Sequence, residues 1–271
     1  MEKHDTRTKT IIPIQDDPEG FFRDIEVEFL IHELKDPLSV IETGLRTVLE
    51  KQEKFGSISE RQERTLKRSL RNTKKARSML NNLLEIGRSE AGCFICYRFD
   101  PVKSTYTALK DALETVTGPI SEEISNYEDE KQAADLLGRH GIFVEIEPRL
   151  EKLEMFQDEI KFQQIAGNLF KNAMHHRKKR LDIKLGVEND FFSVAVSDDG
   201  PGIDPEHHEL IFKRYKQVKE CSITPRKGHG LGLAGAHILA RCLGGDIELT
   251  SQIGQGATFR FFLPMSMAQN D

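Results

Sequence analysis

The sequence predicts an α+β protein of two domains: a long helical hairpin that pairs with a second copy into a four-helix bundle, followed by a sandwich of strands and helices. Three observations carry this. Val27, Ile31, Leu34, Leu38, Ile41, Leu45 and Val48 alternate spacings of four and three, the seam of helices that pack along their length. After Gly92 the texture changes to short β-branched and aromatic runs alternating with helical stretches. The 271 residues have room for two ordinary domains.

Taken in order, residues 1–18 mix charge, Pro13 and Pro18 without period, and read as a flexible lead-in. The hairpin domain spans 19–91. Its first helix runs from about Glu19 to Lys54 and stops at Phe55-Gly56-Ser57; the second opens at Ser59, with Gln62 as capping-box partner, and runs to about Ser89. The second seam, Leu66, Ser69, Thr73, Ala76, Leu80 and Leu83, is weaker. Two such helices cannot bury both apolar faces alone, so a homodimer is the structural expectation.

The second domain spans 92–266, with a tail at 267–271. Strands are expected near 93–99, 142–147, 152–156, 181–188, 191–197, 245–251 and 257–264, and helices near 101–138, 157–177 and 231–243. The charged piece 121–135 extends a helix into solvent. Strands mixed with helices on one side describe an α+β sandwich.

Bulk numbers exclude some functions. Charged residues make up 31% and hydrophobic ones 38%, without tryptophan, and the net charge of −5 argues against nucleic acid as partner, although HHRKKR at 175–180 is basic. No stretch approaches the roughly 18 apolar residues of a membrane span, and MEKHDTRTKT is not a signal peptide, so a cytoplasmic protein without membrane insertion is expected. Cys93 and Cys96 lie on a strand, where residues three apart face opposite sides, so neither a zinc site nor a redox pair follows.

Several stretches carry polar or glycine signals too dense for packing. In HELKDP, residues 32–37, His32 follows a seam residue and points outward. Pro37 lacks the N–H that would bond the Glu33 carbonyl, at a cost of roughly 3 kcal/mol in a helix interior. In FQQIAGNLFKNAMHH, Asn168 and Asn172 share one helical face, with His175 and His176 close by; the amides are either solvated or turned to a cavity where their oxygens ligate a hard cation such as magnesium. VSDDGPGI reads as a tight turn, or as a carboxylate, Asp198, fixed at a strand end to accept a hydrogen bond from an exocyclic amine, with Gly200 and Gly202 admitting the base. In GHGLGL, Gly228, Gly230, Leu231 and Gly232 precede a helix whose N–H groups suit an anion; GQGATF puts Thr258 in a turn leading to the last strand, ordinary for a hairpin and also able to reach a phosphate. The polar span between them, with Lys213, Arg214, Arg226 and Lys227, suits a cover that supplies cations to a polyphosphate.

With these boxes in this order, the chain resembles the core of a bacterial sensor histidine kinase over roughly residues 20–265. The resemblance implies a dimerisation and phosphotransfer hairpin followed by a Bergerat-type ATP-binding α/β sandwich. It implies that His32 is phosphorylated from ATP and that Glu33 orients its ring and takes its proton. Asn172 would bind Mg2+ with support from Asn168, Asp198 would bind adenine, and Gly200, Gly202, Gly230 and Gly232 would shape the nucleotide loop. The phosphoryl group would pass to an aspartate of a separate response regulator receiver. The chain departs from the family pattern at His175 and His176, where a Lys and a Tyr are common. It departs again at Asp36, where a Thr or Asn is common and is associated with dephosphorylating the partner. Two other readings compete: a catalytically weak dimeric scaffold that binds a receiver, and an ATPase or protein-serine kinase of another branch of the same ATP fold. The HELKDP box argues against the latter, and retention of both Asn172 and Asp198 argues against the former.

Overall fold

The computed structural model describes residues 8–11, 25–90, 92–117, 136–150, 152–212 and 232–267. The chain divides into two compact units, Pro13–Ala91 and Met1–Ile12 together with Gly92–Asp271.

The first unit is the hairpin. Helix α1 (Ile25–Glu50) runs through Pro37, and a one-turn α2 (Gln52–Phe55) follows a break at Lys51, so the single helix expected to Lys54 is interrupted one turn early. Helix α3 (Glu60–Glu90) opens on the anticipated capping box: the Ser59 N–H donates to Gln62 Oε1 at 2.8 Å, and the Gln62 N–H donates to Ser59 Oγ at 3.3 Å. The reciprocal bonds satisfy two donors that a helix start otherwise leaves open.

The seam is only partly covered within one chain. Ile31 is 4% exposed, whereas Leu34 and Ile41 are 51% and 49% exposed. Among the described residues of the hairpin the best-buried charge is Glu42, at 4% exposure; its carboxylate meets Arg77 Nη1 of α3 at 2.8 Å and Arg46 Nη2 of its own helix at 3.0 Å. Nothing in the sequence pattern marks this pair, because Glu42 sits beside the seam residue Ile41 and reads as a solvated helix acid.

The second unit holds two sheets. Strands β1 (Thr8–Ile11), β2 (Cys93–Phe99), β3 (Ile142–Ile146), β4 (Met155–Gln157), β5 (Leu181–Glu188), β6 (Phe191–Asp198), β7 (Asp246–Ser251) and β8 (Ala257–Pro264) order as β1-β2-β4 and β3-β5-β6-β8-β7. All pairs are antiparallel except β3 with β5. Strand β1 falls inside the lead-in, where no element was expected; it pairs with β2 so that Ile11 lies opposite Cys93. Four residues are too few to show a period, and only pairing with β2 reveals them as a strand.

Helices α4 (Pro101–Thr117), α5 (Glu159–His176) and α6 (Gly232–Cys242) supply the helical residues of a common core with the large sheet. The helix expected over 101–138 is described only to Thr117 and again at 136–139; the charged stretch 121–135 lies outside the described residues. In β8 the burial alternates strictly, with Phe259, Phe261 and Leu263 inward. Cys93 is exposed and Cys96 buried, as strand alternation requires; burial pushes the Cys96 thiol up to about 11, with the Asp158 charge adding to it. Among the described residues no helix is long and apolar enough to cross a membrane.

The Glu42 pair yields an asymmetric expectation. Arg77 is 43% exposed and rehydrates when its partner is lost, so Glu42→Ala should cost about 1 kcal/mol. Arg77→Ala leaves the buried carboxylate with Arg46 alone and should cost about 2 kcal/mol, below the roughly 3–5 kcal/mol of a buried pair broken outright. Urea unfolding of both variants, followed by amide exchange within α1, checks the order; equal costs would show that the carboxylate is not held by Arg77.

Candidate functional site

The hairpin carries one group of candidates. His32, Glu33 and Asp36 are all exposed on α1, and Asp36 stands one turn after His32 on the same face. Asp36 therefore brings a carboxyl group to the helix face that His32 occupies.

The second group is built on α5. Asp158 caps the helix: its Oδ1 accepts from the Lys161 N–H at 3.1 Å, and its Oδ2 accepts from the Ile95 N–H of β2 at 3.0 Å, so the cap also fastens the helix start to the small sheet. Phe162, Ile165, Ala166, Leu169, Phe170 and Ala173 form a stripe of zero exposure. Asn168 and Asn172 flank that stripe and are half-buried. On the opposite flank the buried Gly167 faces α4, where a Cβ would sit in ordinary contact with the Ala108 carbonyl. On the asparagine side stands the start of α6, where a Cβ on Gly232 would meet Asn168 Oδ1 at 3.4 Å. The structure thus brings together Asn168 and the last glycine of the GHGLGL run.

The third group is the end of β6. Asp198 is 7% exposed; its Oδ1 accepts from the Gly200 N–H at 2.8 Å. Burial holds its carboxyl above the ordinary carboxylate range against the pull of the Gly200 N–H and the charge of His176. Gly202 (φ +73°) and Gly256 (φ +86°) adopt backbone that side chains rarely take, and an added Cβ would lie 2.0 Å from the Gln252 carbonyl oxygen and 1.9 Å from that of Asp198, respectively. Only glycine lets these two loops touch. Ser251 locks them: its Oγ accepts from the Ile203 N–H at 2.9 Å and donates to the Gly256 carbonyl at 2.7 Å. Sequence reasoning missed Ser251, which carries no local signal and matters only because β7 is a neighbour of β8.

His175 and His176 are exposed at the C-terminal end of α5, and the His176 carbonyl abuts Gly200, where a Cβ would lie 2.5 Å from it. Thr258 is placed differently from its expectation. Its hydroxyl shares a 2.8 Å hydrogen bond with Ser197 Oγ, at a position of β8 that alternates away from the core and from Asp198. The one-residue step from Ala257 to Thr258 flips the side chain to the other face of the sheet. Lys213, Arg214, Gly228, Gly230 and Leu231 lie outside the described residues.

The donor set fits a hard cation: two half-buried amides, with a glycine rather than a side chain over Asn168. No cluster of three or more His, Cys, Asp or Glu exists among the described residues, so these amides supply too few protein ligands for a closed metal cage and suit an ion completed by phosphates and water.

Comparison with known proteins agrees with this geometry. Residues 26–92 match the family model of the His Kinase A (phospho-acceptor) domain, and residues 157–267 match that of histidine kinase-, DNA gyrase B- and HSP90-like ATPases. The chain is 30% identical over 189 residues to the sensor histidine kinase MtrB of Mycobacterium tuberculosis, covering 69% of this chain and 30% of that protein. It is 27% identical over 238 residues to the sensor protein SrrB of Staphylococcus aureus, covering 86% and 36%. It therefore spans about a third of the length of these relatives. Among solved structures, full-length ShkA in complex with AMPPNP aligns with TM-score 0.62 at 20% identity over 90% of this chain and 46% of that one. The Acinetobacter baumannii histidine kinase AdeS aligns with TM-score 0.52 at 20% identity, over 86% and 98%. These two likenesses show the fold.

Asp198 generates a prediction with opposite signs for stability and binding. A carboxyl whose folded pKa lies above its unfolded value gains stability as pH falls through the folded pKa and costs stability while ionised at neutral pH. Asp198→Asn should therefore leave the melting temperature at pH 7 unchanged or higher. Loss of a charge-assisted acceptor, worth roughly 1.5–3 kcal/mol, should weaken ATP binding by about ten- to a hundredfold. Calorimetric titration beside a thermal melt tests both; a lower melting temperature with intact binding would assign Asp198 to the fold alone.

Proposed function

Since the chain carries a sensor histidine kinase core, a phospho-acceptor domain followed by a histidine kinase-type ATPase domain, we propose that it phosphorylates His32 from ATP and passes the phosphoryl group to an aspartate of a response regulator receiver. The observation that carries this reading is the pairing, in one chain, of an exposed histidine on a helical hairpin with a half-buried asparagine pair and a buried, glycine-flanked aspartate in the ATPase unit.

In the proposed mechanism an imidazole nitrogen of His32 attacks the γ-phosphorus in line, the bond from that phosphorus to the bridging oxygen breaks, and ADP leaves. Glu33, the next residue on α1, orients the ring and takes the proton that the attacking imidazole loses. Asp198 accepts a hydrogen bond from the exocyclic amine of adenine, and Gly200 and Gly202 let the surrounding backbone close in beside it. Asn172, supported by Asn168, would hold Mg2+, which screens the phosphate charge when bound. His175 and His176 stand at the same helix end, and Arg214 is proposed from the sequence as a cation for the phosphates. Positioning and electrostatics supply most of the rate, because little covalent work falls to the protein. The exposed seam residues Leu34 and Ile41 support a homodimer built on the hairpin.

Incubation with labelled ATP and magnesium should give acid-labile, alkali-stable label, because a phosphoramidate nitrogen protonates and leaves in acid. His32→Gln should abolish it; label that persists and survives acid would favour a protein-serine kinase instead.

A second expectation concerns Asp36. Ionised beside His32, it would face the phosphoryl oxygens of a docked phospho-receiver, and two unit charges about 5 Å apart at an effective dielectric near 20 repel by ~3 kcal/mol, on the order of a hundredfold in rate. The protein is accordingly proposed to be biased towards kinase over phosphatase activity. Asp36→Thr should speed decay of the phospho-receiver while leaving His32 labelling intact, and an unchanged decay would sink the idea.

A further inference from the structure

One carboxylate beside the nucleotide site has no part in the mechanism above. Asp199 follows Asp198 directly, yet its side chain turns the other way. Its Oδ1 accepts from the Lys178 N–H at 2.8 Å and from the Lys179 N–H at 3.1 Å, and its Oδ2 accepts from the Lys179 N–H at 3.1 Å. Its own N–H donates to the Arg180 carbonyl at 3.4 Å, so residue 199 grips the turn 178–180 from both sides. That turn follows the end of α5, which the Arg177 N–H closes onto the Ala173 carbonyl at 2.8 Å.

We infer that Asp199 is a positioning residue for the nucleotide site: by holding the turn after α5 against the end of β6, it sets the spacing between the asparagine and histidine side of the site and Asp198. The inference rests on the nucleotide-binding reading of that site. Three features support it. The gap being held is tight, since Gly200 has no room for a Cβ beneath the His176 carbonyl. Asn172 lies one turn before His176 on the same rigid helix, so a shift of the turn moves Asn172 relative to Asp198. The donors are backbone amides rather than lysine side chains, which gives the basic run HHRKKR a local role: Arg177 and Arg180 both stand within reach of the carboxylate charge, while Arg180 also binds Asp182 at 2.7 Å. The backbone N–H groups of Arg180, Lys179, Lys178 and Asp199 itself outweigh the opposing effect of burial and hold the Asp199 carboxyl below its usual range, so it is ionised throughout neutral pH.

The test is calorimetric titration with a non-hydrolysable ATP analogue and magnesium, with His32 labelling at saturating ATP as second readout. Asp199→Ala should raise Kd at least tenfold while labelling at saturation stays within about threefold, a split that loss of folding alone does not give. Asp199→Asn keeps one acceptor oxygen for both amides and should restore Kd to within about threefold. The double variant Lys178→Ala, Lys179→Ala keeps both backbone donors and should also bind within about threefold. Wild-type affinity in Asp199→Ala, or an equal loss in the double lysine variant, overturns the inference. If Asp199→Ala fails to fold, amide exchange of the wild type decides: protection at 178 and 179 that rises with the bound analogue supports the clamp, and protection indifferent to it overturns the clamp. Absence of analogue binding by the wild type would instead overturn the kinase reading on which the clamp depends.

Discussion

The packing of Phe162 is the constraint on which the ATPase unit depends. The side chain is fully buried, and its ring lies 5.5 Å from Phe99, 5.9 Å from Phe192 and 5.5 Å from Phe261, so one residue joins both sheets to α5. Tilted and edge contacts of this kind fix a ring in angle as well as distance. They therefore set the rotation of α5 about its axis, and that rotation places Asn168 and Asn172 on the flank of the buried stripe. A rotation by one residue would turn the asparagines into the core or out to solvent. The core and the site are in this sense one object, and the Asp158 cap secures the start of the same helix one turn before Phe162.

The end of β6 shows how two adjacent, chemically identical groups acquire opposite properties. Asp198 is taken from water and given few donors, so its charge is costly and available to a ligand amine. Asp199 is met by three backbone bonds and its charge is used up in the fold. Strand alternation sends the first inward and the second towards the turn after α5. Glycines at 200, 202 and 256 then bring two loops and a helix end into contact through backbone alone, packing them closer around Asp198 than side chains would allow.

Within the hairpin the balance differs. The seam is too sparsely buried in one chain to account for a stable pair of long helices, and Leu34 and Ile41 remain open. The buried Glu42 pair adds registry between α1 and α3 more than net stability, because desolvation offsets much of its attraction. A strand from before the hairpin, Thr8–Ile11, pairs with the strand that follows it, so the small sheet receives chain from both sides of the phospho-acceptor domain.

By itself the sequence determined most of the element order. Periodicity located six strands to within one residue and began β4 three residues early, Ser59 and Gln62 announced the start of α3, and the boxes from HELKDP to GQGATF named His32, Asn172 and Asp198 as candidates, because those signals are local and repeat within a few residues. What it left open was decided by neighbours distant in the chain. The outward face of Thr258 follows from its register with Ser197 in β6, the lock by Ser251 from the pairing of β7 with β8, and the grip of Asp199 on the turn 178–180 from the meeting of two loops. The strand at Thr8–Ile11 and the ion pair of Glu42 with Arg77 belong to the same class. Apart from the local β7–β8 pairing, the controlling interactions join residues about 20 or more positions apart, and the energy that selects them, a hydrogen bond or ion pair, exists only once the tertiary structure has brought the two ends together.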